Sequence, residues 1–274
     1  MDSATAQKLA ALNRQFYADH ALAFAHRRAT PQPGIIRILD RLPPNASVLE
    51  IGCGDGKVAR ALMAHPNVIA YLGLDLDPTL LARARAGMRD PTPTPPLPRL
   101  QNTQTGEGVP SPVGAFPDGA QAGLGWGFAL ADLTSHNWHT SLPPTSFTAI
   151  LAFSVFHHLP GAATRARVLR TLAGHLAPSG FIAMSNWQFN RSERLQKRLI
   201  PWSTLGLTES DLEPDDYLLA WERNAQRGLR YVHLLAEPEA RQMAEAAGLT
   251  VTEIFQSDGL THNLADYVIM QKAE

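Results

Sequence analysis

The chain has 274 residues, 45% of them hydrophobic and 18% charged, with a formal net charge of -1. That supplies enough apolar material for a sizeable core and excludes both global disorder and a whole-protein basic field of the kind that gathers nucleic acid. One cysteine, Cys53, excludes an intramolecular disulfide and a cysteine-rich metal site and fits a reducing, cytoplasmic location; no run approaches roughly 18 consecutive apolar residues, so neither membrane insertion nor export is expected.

From Ala4 to about Arg28 the apolar residues Leu9, Leu12, Phe16 and Leu22 fall at helical spacing, and Pro31 and Pro33 end the pattern. A second helix is expected over about 34–41. Short apolar runs and helical stretches then alternate: "SVLEIG", a helix over 56–64, "IAYLGLDLD", and a helix over 78–88. Such alternation marks βαβ units and a parallel sheet. Between Pro91 and Gly125 the pattern stops, with 8 prolines and 6 glycines in 35 residues. This composition predicts a surface insertion that cannot bury enough apolar area to order itself.

The sheet resumes with "GFALADL", "FTAILAFS" and, after a helix over 161–176, "GFIAMSNW". Residues 187–235 are rich in aromatics and arginines and read as a helical cap over the substrate. A helix over 237–247 leads to "LTVTEIFQSD" and "ADYVIMQKA", an antiparallel pair at the sheet edge. One domain spanning 1–274 is expected, with a leading helical segment over 1–33, the insertion over 91–125 and the cap over 187–235.

The chemistry centres on "SVLEIGCGDGKVAR", where Gly52, Gly54 and Gly56 stand between the first strand and the following helix. A glycine-rich turn there lets a ligand approach backbone and helix N-terminus closely. The dinucleotide pattern G-x-G-x-x-G fails, because Lys57 stands where a third small residue is needed. The nucleoside triphosphate loop fails too, since only three residues separate Gly52 from Gly56 and Val58 follows Lys57. What remains is an acid, Glu50, at the strand end, suited to an ammonium or sulfonium group rather than a pyrophosphate. S-adenosylmethionine carries both. Asp75, 19 residues after Gly56, ends the second strand where a carboxylate would accept ribose hydroxyls; Asp77 competes for that role or caps the next helix ahead of Pro78. Asp132 ends "FALADL" within reach of an adenine amino group, with Leu133 to pack on the ring.

In order, "VLEIGCGDG", "YLGLDLDPTLLARAR", "FALADL", "LAFSVFHHL" and "HLAPSGFIAMSNW" resemble the class I S-adenosylmethionine-dependent methyltransferases over about residues 34–186 and the closing strand pair. The resemblance implies an α/β, Rossmann-like seven-stranded sheet of order 3-2-1-4-5-7-6 with a helical N-terminal segment and a helical cap insertion. It implies S-adenosyl-L-methionine as cofactor, with Glu50, Gly52, Gly54 and Gly56 along its methionine end, Asp75 and Leu76 at the ribose, Asp132 and Leu133 at the adenine, and Phe153 and Ser154 beside the reacting methyl.

Near that methyl the fourth strand also delivers His157 and His158. Adjacent histidines without a third spaced ligand argue against a metal, and a general-base role for one of them competes with packing. Methyl transfer is an in-line displacement needing a base only where the acceptor keeps a proton. "FYADHALAFAHRR", "IPW", "DDYLLAW" and "RYVHLL" resemble pieces of the methyltransferases that esterify carboxymethyl groups on wobble uridines of transfer RNA. That resemblance implies that Arg230, Tyr231 and His233, with Tyr17 and Arg28, surround the acceptor, either a transfer RNA or, in the rival reading, a small metabolite. A non-catalytic cofactor-binding subunit serving a small partner protein is the reading from another class. Trp187, Trp202, Trp221 and Tyr217 would form either a stacking platform or the core of the cap.

Overall fold

The computed structural model describes residues 1–25, 30–89, 125–223 and 226–273. Arg28 and all of the predicted insertion except Gly125 lie outside the described residues.

The leading segment is one long helix, α1 (Ser3–Ala25), followed by α2 (Pro33–Leu39), which starts with proline where an amide would have no helical partner anyway. Five strands and three helices follow: β1 (Ala46–Ile51), α3 (Lys57–Met63), β2 (Val68–Asp75), α4 (Pro78–Arg89), β3 (Trp126–Leu130), β4 (Phe147–Phe153), α5 (Ala162–Gly174) and β5 (Leu176–Trp187). The cap contains α6 (Glu193–Gln196), β6 (Leu199–Ile200), β7 (Asp216–Arg223) and β8 (Gln226–His233), after which α7 (Glu237–Ala246) leads into β9 (Leu249–Ser257) and β10 (Ala265–Lys272).

Among the described residues, seven strands form one sheet in the order β3-β2-β1-β4-β5-β10-β9. β1 to β5 are parallel, and β10 runs antiparallel to both β5 and β9. Numbered within that sheet alone, the order is the expected 3-2-1-4-5-7-6. Central strands of such a sheet are covered on both faces and so read as near-continuous apolar runs. Val48, Leu49 and Ile51 are accordingly all buried. One core lies on the α5 and α7 side, with Ile150, Met184, Val168 and Leu172; the other lies under α2 and α3, with Val48, Leu151, Ile38 and Leu62.

The cap differs from expectation. It holds short helical turns, but its frame is a three-stranded antiparallel sheet, β6-β7-β8, with β7 and β8 paired from Asp216↔His233 to Arg223↔Gln226. Away from its exposed tip at Glu222, Gln226 and Arg227, this hairpin is covered on both faces. Leu219 and Val232 pack with Phe189 and Leu195, while Leu9 of α1 clusters with Tyr231. Burial on both faces removes the alternation by which a strand is recognised in sequence. The four cap aromatics do not form one platform either: Trp187 and Tyr217 join the Phe189 cluster, Trp202 the Leu9 cluster, and Trp221 packs edge-on against Phe16.

Strand order changes direction between β1 and β4, so a crevice opens at the carboxyl ends of β1, β2 and β4. Helix α1 runs beside this crevice and reaches the cap.

Candidate functional site

All three glycines of the turn after β1 are left-handed, with φ of 69° at Gly52, 55° at Gly54 and 78° at Gly56. Their surroundings separate them. A Cβ on Gly52 would stand 2.5 Å from Val155 Cγ2, and one on Gly56 would stand 2.9 Å from Ala84 Cβ, so these two are required by protein packing as well as by conformation. A Cβ on Gly54 would meet nothing within 4 Å. Gly54 therefore presents its backbone to open space.

Two acids flank that opening. Glu50 is 3% exposed, and the Tyr71 hydroxyl donates a hydrogen bond to its Oε2. Burial pushes the Glu50 pKa up to about 8, with the Tyr71 bond and the Lys57 charge acting in the opposite sense. Gly73 pairs with Glu50 across β1 and β2, and a Cβ there would lie 2.8 Å from the Tyr71 oxygen; its missing side chain leaves room for that contact.

Asp75 ends β2. Its Oδ2 accepts the Gly54 N–H at 2.8 Å and its Oδ1 accepts the Asp77 N–H at 2.9 Å, so it ties the glycine turn to the start of α4. Burial raises its pKa, against the lowering effect of these amide bonds. Asp77 has the other role considered for it: its Oδ1 accepts the Thr79 and Leu80 amides at 2.7 and 3.1 Å and caps α4.

Asp132 accepts from the Thr134 amide and hydroxyl at Oδ1, at 2.9 and 2.6 Å, and its Oδ2 lies 3.1 Å from Arg14 of α1. Leu133 is half-buried against the α5-side core, and Leu76 is half-buried beside Asp75. Phe153 is buried against the Tyr267 ring, whereas Ser154 is exposed. The backbone of Ser154 is left-handed, at φ 60°, and its N–H donates to the Ser185 carbonyl at 3.0 Å. A non-glycine residue in that region costs conformational energy and turns the chain sharply at the end of β4.

The predicted acceptor residues separate into two groups, because neighbours on a strand point to opposite faces. Arg230 faces the crevice side, its guanidinium carbon 4.6 Å from the Trp187 ring centroid and 5.7 Å from that of Phe16. The Tyr17 hydroxyl, near Arg230, lies 2.7 Å from His158 Nε2. His157 is 1% exposed and accepts the Trp187 amide at Nδ1, 3.3 Å away, so it holds the end of β5 rather than facing Tyr17. Burial, and next the positive neighbours His158 and Arg230, keep its pKa well below the usual histidine range.

Tyr231 and His233 occupy the other face of β8, inside a buried polar network. The Tyr231 hydroxyl donates to Asp216 Oδ1 at 2.6 Å; His233 lies 2.8 Å from the same oxygen through Nδ1 and 2.7 Å from Glu239 Oε2 through Nε2. Arg165, 1% exposed, joins Glu213 at 2.9 Å and Glu239 at 2.7 Å. Glu213, Asp216 and His233 bring one ligand atom each within 4.8 Å of the others. The Arg165 guanidinium and the imidazole already bond these carboxylates, leaving a metal ion to compete with two built-in donors. The network joins cap, α5 and α7, and no sequence spacing announces it.

Burial pushes the His233 pKa down, but its bonds to Asp216 and then Glu239 outweigh this and the net shift is upward. Its stabilising contribution is then fully present below the ordinary histidine value of about 6.5 and is lost as pH rises through the higher folded value. The thermal midpoint of the wild type should exceed that of His233→Gln by a few degrees near pH 6, with the gap shrinking toward pH 9. A gap that widens with pH would reverse the assignment of charge at His233.

The family model described as a methyltransferase domain matches residues 23–254. No curated protein sequence matched the chain. Among solved structures it is similar to an S-adenosylmethionine-dependent methyltransferase from Methanosarcina mazei, at 17% identity and a TM-score of 0.58, over 89% of this chain and 98% of that one. It is also similar to the amino pentose methyltransferase CalS10 of Micromonospora echinaspora, solved with S-adenosylmethionine (15%, TM-score 0.54, 92% and 95%). A third is the N-methyltransferase NodS of Bradyrhizobium japonicum, solved with S-adenosylhomocysteine (15%, TM-score 0.53, 90% and 92%). At these identities the likenesses show a shared fold.

Proposed function

The chain belongs to the methyltransferase domain family, and from that premise we propose that it transfers a methyl group from S-adenosylmethionine to an oxygen or nitrogen of a small acceptor held between α1 and β8. The observation that carries the reading is Gly54, left-handed and open where a side chain would stand, between Glu50 and Asp75. An amino-acid head with an ammonium group suits Glu50, and ribose hydroxyls suit the remaining lone pairs of Asp75. Leu76 would line the ribose beside Asp75, and Asp132 and Leu133 would take the adenine end, with Phe153 and Ser154 beneath the methyl group.

Bound there, S-adenosylmethionine would supply a sulfonium-activated methyl group. The residues of this chain would do the rest by placement: the turn fixes the donor, Arg230 and Tyr17 orient the acceptor, and α1 and the cap keep water out. Tyr231 and His233 would act one layer away, holding β8 so that Arg230 stays in position. A small acceptor is favoured over transfer RNA because, of Arg230, Tyr231 and His233, only Arg230 turns toward Trp187 and Phe16.

The test follows labelled methyl from S-adenosylmethionine into fractionated extract from cells lacking the protein, with and without ribonuclease. Label in low-mass compounds, indifferent to ribonuclease, is the expected result. Ribonuclease-sensitive label in the small-RNA fraction would replace the metabolite reading with the nucleotide one, and absence of any transfer would remove the enzyme reading.

A further inference from the structure

We propose that Tyr17 and His158 form a proton relay that receives the proton an acceptor gives up as it is methylated, with the Tyr231 carbonyl fixing the direction of the relay. The proposal rests on the methyl-transfer reading above and adds to it a proton path. Tyr17 would be the catalytic residue, and His158 would act through it.

The direction follows from the atoms. His158 Nδ1 lies 3.2 Å from the backbone oxygen of Tyr231, and His158 Nε2 lies 2.7 Å from the Tyr17 hydroxyl. A carbonyl oxygen can only accept, so Nδ1 carries the imidazole hydrogen and Nε2 offers its lone pair. The Tyr17 O–H must then donate to Nε2. Its oxygen has two lone pairs, one met by the Arg230 guanidinium and one left to take a hydrogen from the acceptor, and both side chains are only partly buried.

The same helix that carries Tyr17 also pins the carbonyl that sets the tautomer. Asn13, one turn before Tyr17 on α1, accepts the Tyr231 N–H at 2.8 Å and donates to the Tyr231 oxygen at 3.1 Å. A second Asn13 bond, at 3.1 Å, goes to the His158 carbonyl. α1, β8 and the turn after β4 therefore meet through side chains that orient one imidazole, a degree of control that close packing alone does not call for.

The step balances. A lone pair on the acceptor oxygen or nitrogen bonds to the methyl carbon, and the carbon–sulfur bond breaks with its electrons remaining on sulfur. The acceptor proton passes to the Tyr17 oxygen while the Tyr17 hydroxyl proton passes to His158 Nε2. One positive charge leaves the sulfur as one appears on the imidazole, so the net charge of the pocket is unchanged. Return of the proton to water after product release resets the pair.

The charged and titratable groups around the pair are Arg230 on β8, His157 on the same turn and Asp75 at the end of β2. Burial, then the Arg230 charge, hold the His158 pKa down to about 3, which keeps the resting imidazole neutral and open to a proton throughout the working pH range. Such a base is weak, and it takes the proton only as the acceptor atom becomes strongly acidic on bonding to the methyl carbon. Burial raises the Tyr17 pKa while Arg230 lowers it, so the hydroxyl keeps its proton near neutral pH.

The test compares wild type, Tyr17→Phe and His158→Gln in two measurements. Labelled methyl transfer into the accepting fraction of a heat-treated extract is followed from pH 6 to 9, with calorimetric binding of S-adenosylhomocysteine as the check on the pocket. With S-adenosylmethionine saturating at every pH, wild-type transfer should be flat across that range. Both variants should bind S-adenosylhomocysteine within about twofold of wild type, yet transfer roughly 10²–10⁴-fold more slowly, with a residual rate that climbs with pH as hydroxide replaces the relay. Wild-type rates in the variants, or a loss without that pH dependence, would overturn the relay while leaving methyl transfer standing; no transfer by the wild type would overturn both. Nitrogen NMR of His158 needs no acceptor: an Nδ1–H imidazole that stays neutral from pH 5 to 8 is expected, and an Nε2–H form or titration near pH 6.5 would exclude the relay.

Discussion

Asp75→Ala is expected to weaken S-adenosylhomocysteine binding by about a hundredfold or more in titration calorimetry, the largest effect of any single substitution in the cofactor crevice. Two losses combine. In the proposed complex the ribose hydroxyls lose a charged acceptor, and a hydrogen bond to a charged group is worth roughly 1.5–3 kcal/mol, where about 1.4 kcal/mol is a factor of ten in affinity. The Gly54 and Asp77 amides, at 2.8 and 2.9 Å, lose their acceptor as well, which frees the turn that must present its backbone to the ligand. Asp75→Asn separates the two losses, because an amide oxygen can still hold one of those N–H groups while the charge is gone. It should fall between wild type and alanine. Unchanged affinity in a folded Asp75→Ala protein would remove Asp75 from the ribose.

The second large effect concerns pH. With its pKa raised to about 8 by burial, Glu50 is mostly protonated at neutral pH while the crevice is empty. A ligand bringing an ammonium or sulfonium group favours the ionised carboxylate and lowers that pKa in the complex. Binding must then release a proton. By linkage the apparent affinity should rise by up to about tenfold per pH unit between pH 6 and 8, then level off above the free-protein pKa. The sign is particular to a raised acid: a Glu50 of ordinary pKa would already be ionised at pH 6 and would produce no such slope. Calorimetry in buffers of different ionisation enthalpy measures the released proton directly. Close to one proton at pH 7 is expected for wild type and none for Glu50→Gln, whose affinity should also lose its Glu50-linked slope. A flat wild-type profile would show that the carboxylate is not the group facing the cation.

How far the site was legible in the chain depends on how local its physics is. Gly52, Gly54 and Gly56 could be read because a sharp turn between strand and helix needs residues able to adopt positive φ, and that need is written in consecutive positions. Asp77 was open to two roles, and the short-range bonds to Thr79 and Leu80 decided for the cap. Tyr71 escaped notice as the partner of Glu50, since its contact depends on parallel pairing with β1 and on the space beside Gly73. Nothing in the sequence singles out Asn13 or Arg14; their partners, Tyr231 and Asp132, are more than a hundred residues away in sequence. Arg230, Tyr231 and His233 were grouped through the resemblance carried by "RYVHLL", yet strand alternation sends Arg230 one way and the other two into a network with Asp216 and Glu239.

The sequence by itself determined the α/β class, the alternating strands and helices, the glycine turn and the acid at each strand end, because period, turn conformation and helix capping act within a few residues. Tertiary structure alone decided that the cap is built on a sheet, that Asp216, Glu239 and Arg165 enclose His233, and that α1 sets Tyr17 against His158. Those outcomes depend on which surfaces meet after folding, where desolvation fixes charge states and a carbonyl more than two hundred residues from Asn13 can choose the tautomer of a histidine.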